Sequence, residues 1–92
     1  MNERQTDSDS QAVIATFWEK AEQAVAQNQP EQARAWMEGI VELDAQNVDA
    51  WLRLASLISD PREQMQCYAR VLELNPGNVQ AKAGIRKAMR QS

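Results

Sequence analysis

The sequence predicts an all-α fold of short helical hairpins, and three observations carry that prediction. Apolar residues after Ser10 recur at spacings of three and four, with no run of the strict alternation that marks a half-buried strand. Pro30 and Pro61 stand where first helical turns tolerate proline, and Asn47 and Asn78 stand where a side chain can cap a helix start. Residues 41–50 recur as residues 72–81 at an offset of 31, with Glu42, Leu43, Asn47, Val48 and Ala50 matched by Glu73, Leu74, Asn78, Val79 and Ala81. Both copies end one helix and begin the next.

Five helices follow in order. The first is expected from about Asp9 or Ser10 to Asn28, with Val13, Phe17, Ala21, Ala24 and Val25 on one stripe. Residues 1–9 read as a polar lead-in, disordered when the chain is free, and residues 10–91 as a single helical domain. Pro30 opens the second helix, which carries Ala33, Met37, Ile40 and Val41 to about Leu43; Gly39 inside it costs about 1 kcal/mol relative to alanine unless something packs closely there. Asn47 caps a short third helix with Trp51, Leu54, Ala55 and Ile58 on one face. Asp60, Pro61 and Glu63 announce the fourth, with Met65, Tyr68, Ala69 and Leu72 as its core stripe. Pro76 and Gly77 stop it, since proline disfavours helix in the residue before it and glycine accepts conformations closed to other residues. Asn78 caps the fifth, with Val79, Ile85, Ala88 and Met89 inward and Lys82, Arg86 and Arg90 four apart on another face. Met37, Met65 and Met89 thus all fall on core stripes, and Cys67 beside Tyr68 reads as a small buried or half-buried hydrophobe.

A helical hairpin recurring every 30 to 40 residues buries its apolar face by stacking on its neighbours as a solenoid. Here the residues resemble the tetratricopeptide repeat family. Trp51, Leu54, Ala55 and Ile58 look like the aromatic-leucine-small-aromatic pattern of its first helix; Tyr68 with Val71, Leu72, Glu73, Leu74, Asn75 and Pro76 looks like the end of its second. Phe17, Ala21, Ala24, Ala33 and Met37 hold the matching places in the earlier hairpin. The second hairpin is three residues short, Gln64 stands at a usual alanine and Lys20 at a usual leucine. The resemblance implies a short right-handed solenoid of about two and a half repeats, closed by a capping fifth helix.

Function classes narrow on composition. With no histidine, one cysteine and no Gly-rich phosphate loop, the common nucleophilic, metal-binding and nucleotide-binding chemistries lack their residues, so no catalytic residue, metal or cofactor is expected. Glu19 and Glu22 lie three apart, but a carboxylate pair at work needs a pocket that a 92-residue core hardly encloses. No apolar run reaches the roughly 20 residues of a membrane span, and a lone cysteine suits a reducing compartment, so the chain is expected in the cytoplasm without membrane insertion. Residues 79–92 hold four bases and no acid, whereas residues 1–78 hold six bases and thirteen acids. Four charges with no aromatic to stack bases, beside that surplus of acid, argue against nucleic acid.

An interaction module remains. In the family the resemblance points to, the first helix of each hairpin lines a concave groove, which implies Trp18 with Glu22, Leu52 with Ser56, and Ala83 with Lys87 as partner-binding residues. Lys82, Arg86 and Arg90 form a basic contact face. Trp18 and Leu52 stand where polar clamp residues would grip a partner's C-terminal carboxylate, so an apolar helix or extended segment is the expected ligand. Trp18 is the expected anchor, next to Phe17 on the core stripe; Trp36 either flanks the core or adds to a sticky outer face. The leading reading is an adaptor or scaffold subunit that binds another protein. The alternative is a self-associating structural homodimer, oriented by the acidic body and the basic fifth helix.

Overall fold

A computed structural model describes the backbone of residues 3–91 and the side chains of residues 9–91. Among these residues there are five helices and no strand: α1 (Glu3–Ala26), α2 (Pro30–Leu43), α3 (Val48–Ser56), α4 (Pro61–Leu74) and α5 (Val79–Gln91). The chain divides into two compact units, Met1–Ala45 and Gln46–Ser92.

In the first unit α1 and α2 pair antiparallel. Phe17 meets Gly39 and Trp36, while Ile14, nearer the start of α1, lines a hollow with Leu43 and Asp44 at the end of α2. The helix α1 begins earlier than Asp9 or Ser10: Glu3 to Ser8 contain no proline or glycine to interrupt a helix, and acids in a first turn suit its dipole. Met1 and Asn2, part of the expected lead-in, lie outside the described residues, as do the side chains of residues 3–8. Asn28 ends α1 in the left-handed conformation, φ 62°, with its own N–H donating to the Val25 carbonyl at 3.0 Å and the Gln29 N–H to that of Ala24 at 2.8 Å. That pair of bonds closes the last orphan carbonyls before Pro30 opens α2.

All four expected core residues of α2, Ala33, Met37, Ile40 and Val41, are buried, as are Ala21 and Ala24 of α1. Val13 is not: it is 41% exposed, and Ile14, one residue on, is the partly buried side chain. Gly39 has the close neighbour its position calls for. A β carbon there would stand 2.9 Å from Phe17 Cε2, so the glycine lets an aromatic ring lie against the α2 backbone. The same ring meets Trp36 edge-on at 5.0 Å between centroids, which places Trp36 on the flank of the core.

In the second unit α4 packs against both α3 and α5. Asn47 accepts the Ala50 N–H at 3.0 Å and Asp60 accepts that of Arg62 at 2.9 Å, so both expected N-caps form. Four residues, Leu57 to Asp60, join α3 to α4, against three between α1 and α2, so the shortness of the second hairpin lies in α3 itself, which has 9 residues. Gln64 bridges this connection: its side-chain amide donates to the carbonyls of Ile58 at 2.7 Å and Ala55 at 3.3 Å, the second of which also accepts the Ile58 N–H at 3.2 Å. An alanine there would make no such bond.

Two stripes differ from expectation. On α4 the buried residues are Cys67 and Val71; Ala69 is exposed and Met65, Tyr68 and Leu72 are half-buried. With apolar residues at 65, 67–69, 71, 72 and 74, the pattern spans more than one face, and a helix with two neighbours uses that breadth. On α5 the inward residues are Ala81 and Ala88, while Val79 and Met89 are 74% and 61% exposed. Small residues face α4 because the helices approach closely: a β carbon on Gly84 would run into the ring of Tyr68.

The repeat at 31 residues is a repeated set of helix ends. Asp44 closes α2 at φ −144°, ψ 85°, its N–H donating to Ile40; Asn75 closes α4 at φ −144°, ψ 87°, its N–H donating to Val71. The starts of α3 and α5 match as well, Asn47 accepting from Ala50 and Asn78 from Ala81 at 2.8 Å. Pro76 and Gly77 therefore do not create this geometry, since Ala45 and Gln46 stand at their places in the first copy, and no glycine has a positive φ. Asn47→Ala and Asn78→Ala are each expected to cost about 1 kcal/mol, read in thermal unfolding as a fall of about 4–8 °C.

Candidate functional site

The strongest candidate surface lies on α1. At about 100° per residue, Trp18 and Glu22 lie about 40° apart on a side of α1 centred roughly 110° from that of buried Ala21 and Ala24, which leaves Trp18 at the edge of the buried stripe. They line one open, shallow depression with Ala15, Glu19, Gln23 and Ala26. Trp18 is half-buried, so part of its ring is held while part faces outward. Two alanines and a glutamine beside it leave room for a second helix to approach, and Glu19 and Glu22 give the surface a negative charge with no base lining it. Shape and charge here suit an apolar side chain flanked by bases; the depression is too open to exclude water from a reaction.

The other expected partner-binding residues lie in the second unit. Leu52 and Ser56, four apart on α3, are half-buried and exposed respectively, and the Ser56 hydroxyl donates to the Arg53 carbonyl of its own helix at 2.6 Å. Ala83 and Lys87 are exposed on α5, as are Lys82, Arg86 and Arg90. The structure thus brings Trp18 together with Glu22 and sets Ala83 among the bases of α5.

Sequence reasoning missed Ala15, Glu19, Gln23 and Ala26 as members of the Trp18 surface. Counting three and four residues from Trp18 along α1 reaches all but Gln23 directly or through Glu22, so the signal was present in the helix period. Trp51, placed on the inner stripe of α3, is half-buried with the Arg70 guanidinium 6.0 Å from its ring centroid; Arg70 also pairs with Glu73 at 2.8 Å. Cys67, the one cysteine of the sequence, is buried.

Among the described residues no three histidine, cysteine, aspartate or glutamate side chains are placed to hold a metal ion, and no helix is long and apolar enough to cross a membrane. No family model matches the chain, and no curated protein is found to be its relative.

Proposed function

We propose that this chain is a non-catalytic protein-interaction module, an adaptor or small assembly subunit that takes a peptide or helix of a partner protein. The observation that carries the reading is Trp18, a half-buried aromatic set in an open depression between small and acidic side chains. Buried aromatic anchors with a polar rim dominate interface energetics.

In this proposal the hairpins stack as a short right-handed tetratricopeptide-like solenoid, with α5 as its cap. The groove then takes in Leu52 and Ser56 from α3 and Ala83 and Lys87 from α5. The support for stacking is the recurrence of the same helix end and helix start 31 residues apart. The module works in the cytoplasm, where its one buried thiol needs no disulfide partner.

Trp18→Ser is expected to weaken partner capture from the source cell's lysate at least about 30-fold, the scale of a hot-spot residue, with helicity by circular dichroism unchanged. Leu52→Ser is expected to act in the same direction. If both variants retain the partner at wild-type levels, the binding surface lies elsewhere. A second reading, a self-associating structural subunit, is favoured by the basic face of α5, whose four bases form no ion pair among the described residues.

A further inference from the structure

The geometry points to one occupant for the Trp18 surface in the purified protein: helix α5 of a second copy of this chain. This goes beyond the adaptor reading, because ligand and receptor are then the same sequence, although both use the same side of α1.

The two surfaces are complementary in shape and in charge. Ala81 and Ala88 face inward on α5, and on the opposite side Val79, Ala83, Arg86 and Arg90 follow one another at i, i+4, i+7 and i+11. That spacing is the contact seam of a helix that packs on another helix. All four are exposed, Val79 at 74%, so the seam is fully presented. Its first half is apolar and its second half basic, with Lys82 and Lys87 on its flanks. The α1 surface offers the counterparts: Trp18 with Ala15 for Val79 and Ala83, and exposed Glu19 for the basic groups.

Charge decides between occupants. Four cations on one 13-residue helix, in no ion pair among the described residues, seek an acidic surface, and the remainder of the chain carries thirteen acids against six bases. A polyanion such as nucleic acid meets net repulsion from that remainder, whereas a second copy meets the acidic side of α1 with its basic side. A chain of this length also leaves much surface unburied alone, which association covers.

The test is sedimentation of the full chain over a range of concentrations. Wild type is expected to gain apparent mass as concentration rises, less so in about 0.5 M salt, where charges at a surface are screened. Glu19→Lys, and separately Arg86→Glu with Arg90→Glu, are each expected to weaken self-association roughly tenfold. All three positions are exposed, so helicity should not change. Mixed in equal amounts, the two charge-reversed chains are expected to recover association, since each now offers what the other lacks. Reciprocal docking gives closed pairs and one-way docking gives longer chains of copies; either supports the proposal. A wild type that stays monomeric at every concentration overturns it, as does a mixture no better than its components. A monomer that still captures a foreign protein through Trp18 leaves the adaptor reading standing, so the two fail separately.

Discussion

Met37→Ala is expected to destabilise the protein by about 2–5 kcal/mol, the range for truncating a long apolar side chain in a closed interior. Met37 has no exposed surface and is one of the three largest fully buried side chains, with Ile40 and Val71. Its neighbours cannot fill the space that three lost side-chain heavy atoms leave, because the interior is dense and the helices are held by their own hydrogen bonds. Against a total stability of about 5–14 kcal/mol for a chain of this length, such a loss is large. Thermal unfolding followed by circular dichroism should show a fall of at least about 8 °C. Met89 supplies the contrast. It lies on a stripe the sequence assigns to the core, yet it is 61% exposed, so Met89→Ala is expected to stay within about 0.5 kcal/mol of wild type. Equal losses at the two positions would contradict the orientation of α5.

Gly84→Ala is expected to destabilise the second unit, against the ordinary benefit of alanine in a helix. Alanine gains about 1 kcal/mol over glycine through backbone entropy. At Gly84 its methyl group would overlap the Tyr68 ring, and displacing a packed aromatic costs about 1–3 kcal/mol. Because Tyr68 is half-buried, its ring has some room to turn, which places the net loss near 1 kcal/mol. The decisive measurement is the double variant. In a Tyr68→Ala background the obstruction is gone, and Gly84→Ala is expected to change sign and stabilise by about 1 kcal/mol, a coupling of about 2 kcal/mol between the positions. A Gly84→Ala effect independent of residue 68 would show that the helices do not approach there. Gly77 has no atom nearer than 4.0 Å to its would-be β carbon and no positive φ, so alanine there is expected to be neutral.

These contrasts show where sequence and structure agree. Helix starts are legible because a cap is a local bond between neighbours: Asn47 to Ala50, Asn78 to Ala81 and Asp60 to Arg62 need no tertiary information. The inner face of α2 is legible because its apolar residues form a single stripe. The faces of α4 and α5 are harder for opposite reasons. Too many apolar residues surround α4 for one stripe to stand out, and on α5 the inward positions are held by alanine and glycine while Val79 and Met89 point away. A search for large apolar residues overlooks an interface made by small ones. Gln64 is similar: a polar residue at an apolar place acquires meaning only once the carbonyls of Ala55 and Ile58 are seen beside it. At the candidate site, the partial exposure of Trp18 and its company with Glu22 follow from helix period alone; the depression around them depends on which neighbours are small.

The matched helix ends also bear on how such a chain grows. Asn47 and Asn78 present the same cap to the helix that follows, and Asp44 and Asn75 release the chain from the preceding helix at the same angles. A duplicate of residues 48–78 inserted after Asn78 would meet, at each of its two seams, a junction the protein already contains. Lengthening by two helices then copies backbone joints that the chain already forms and calls for no new one.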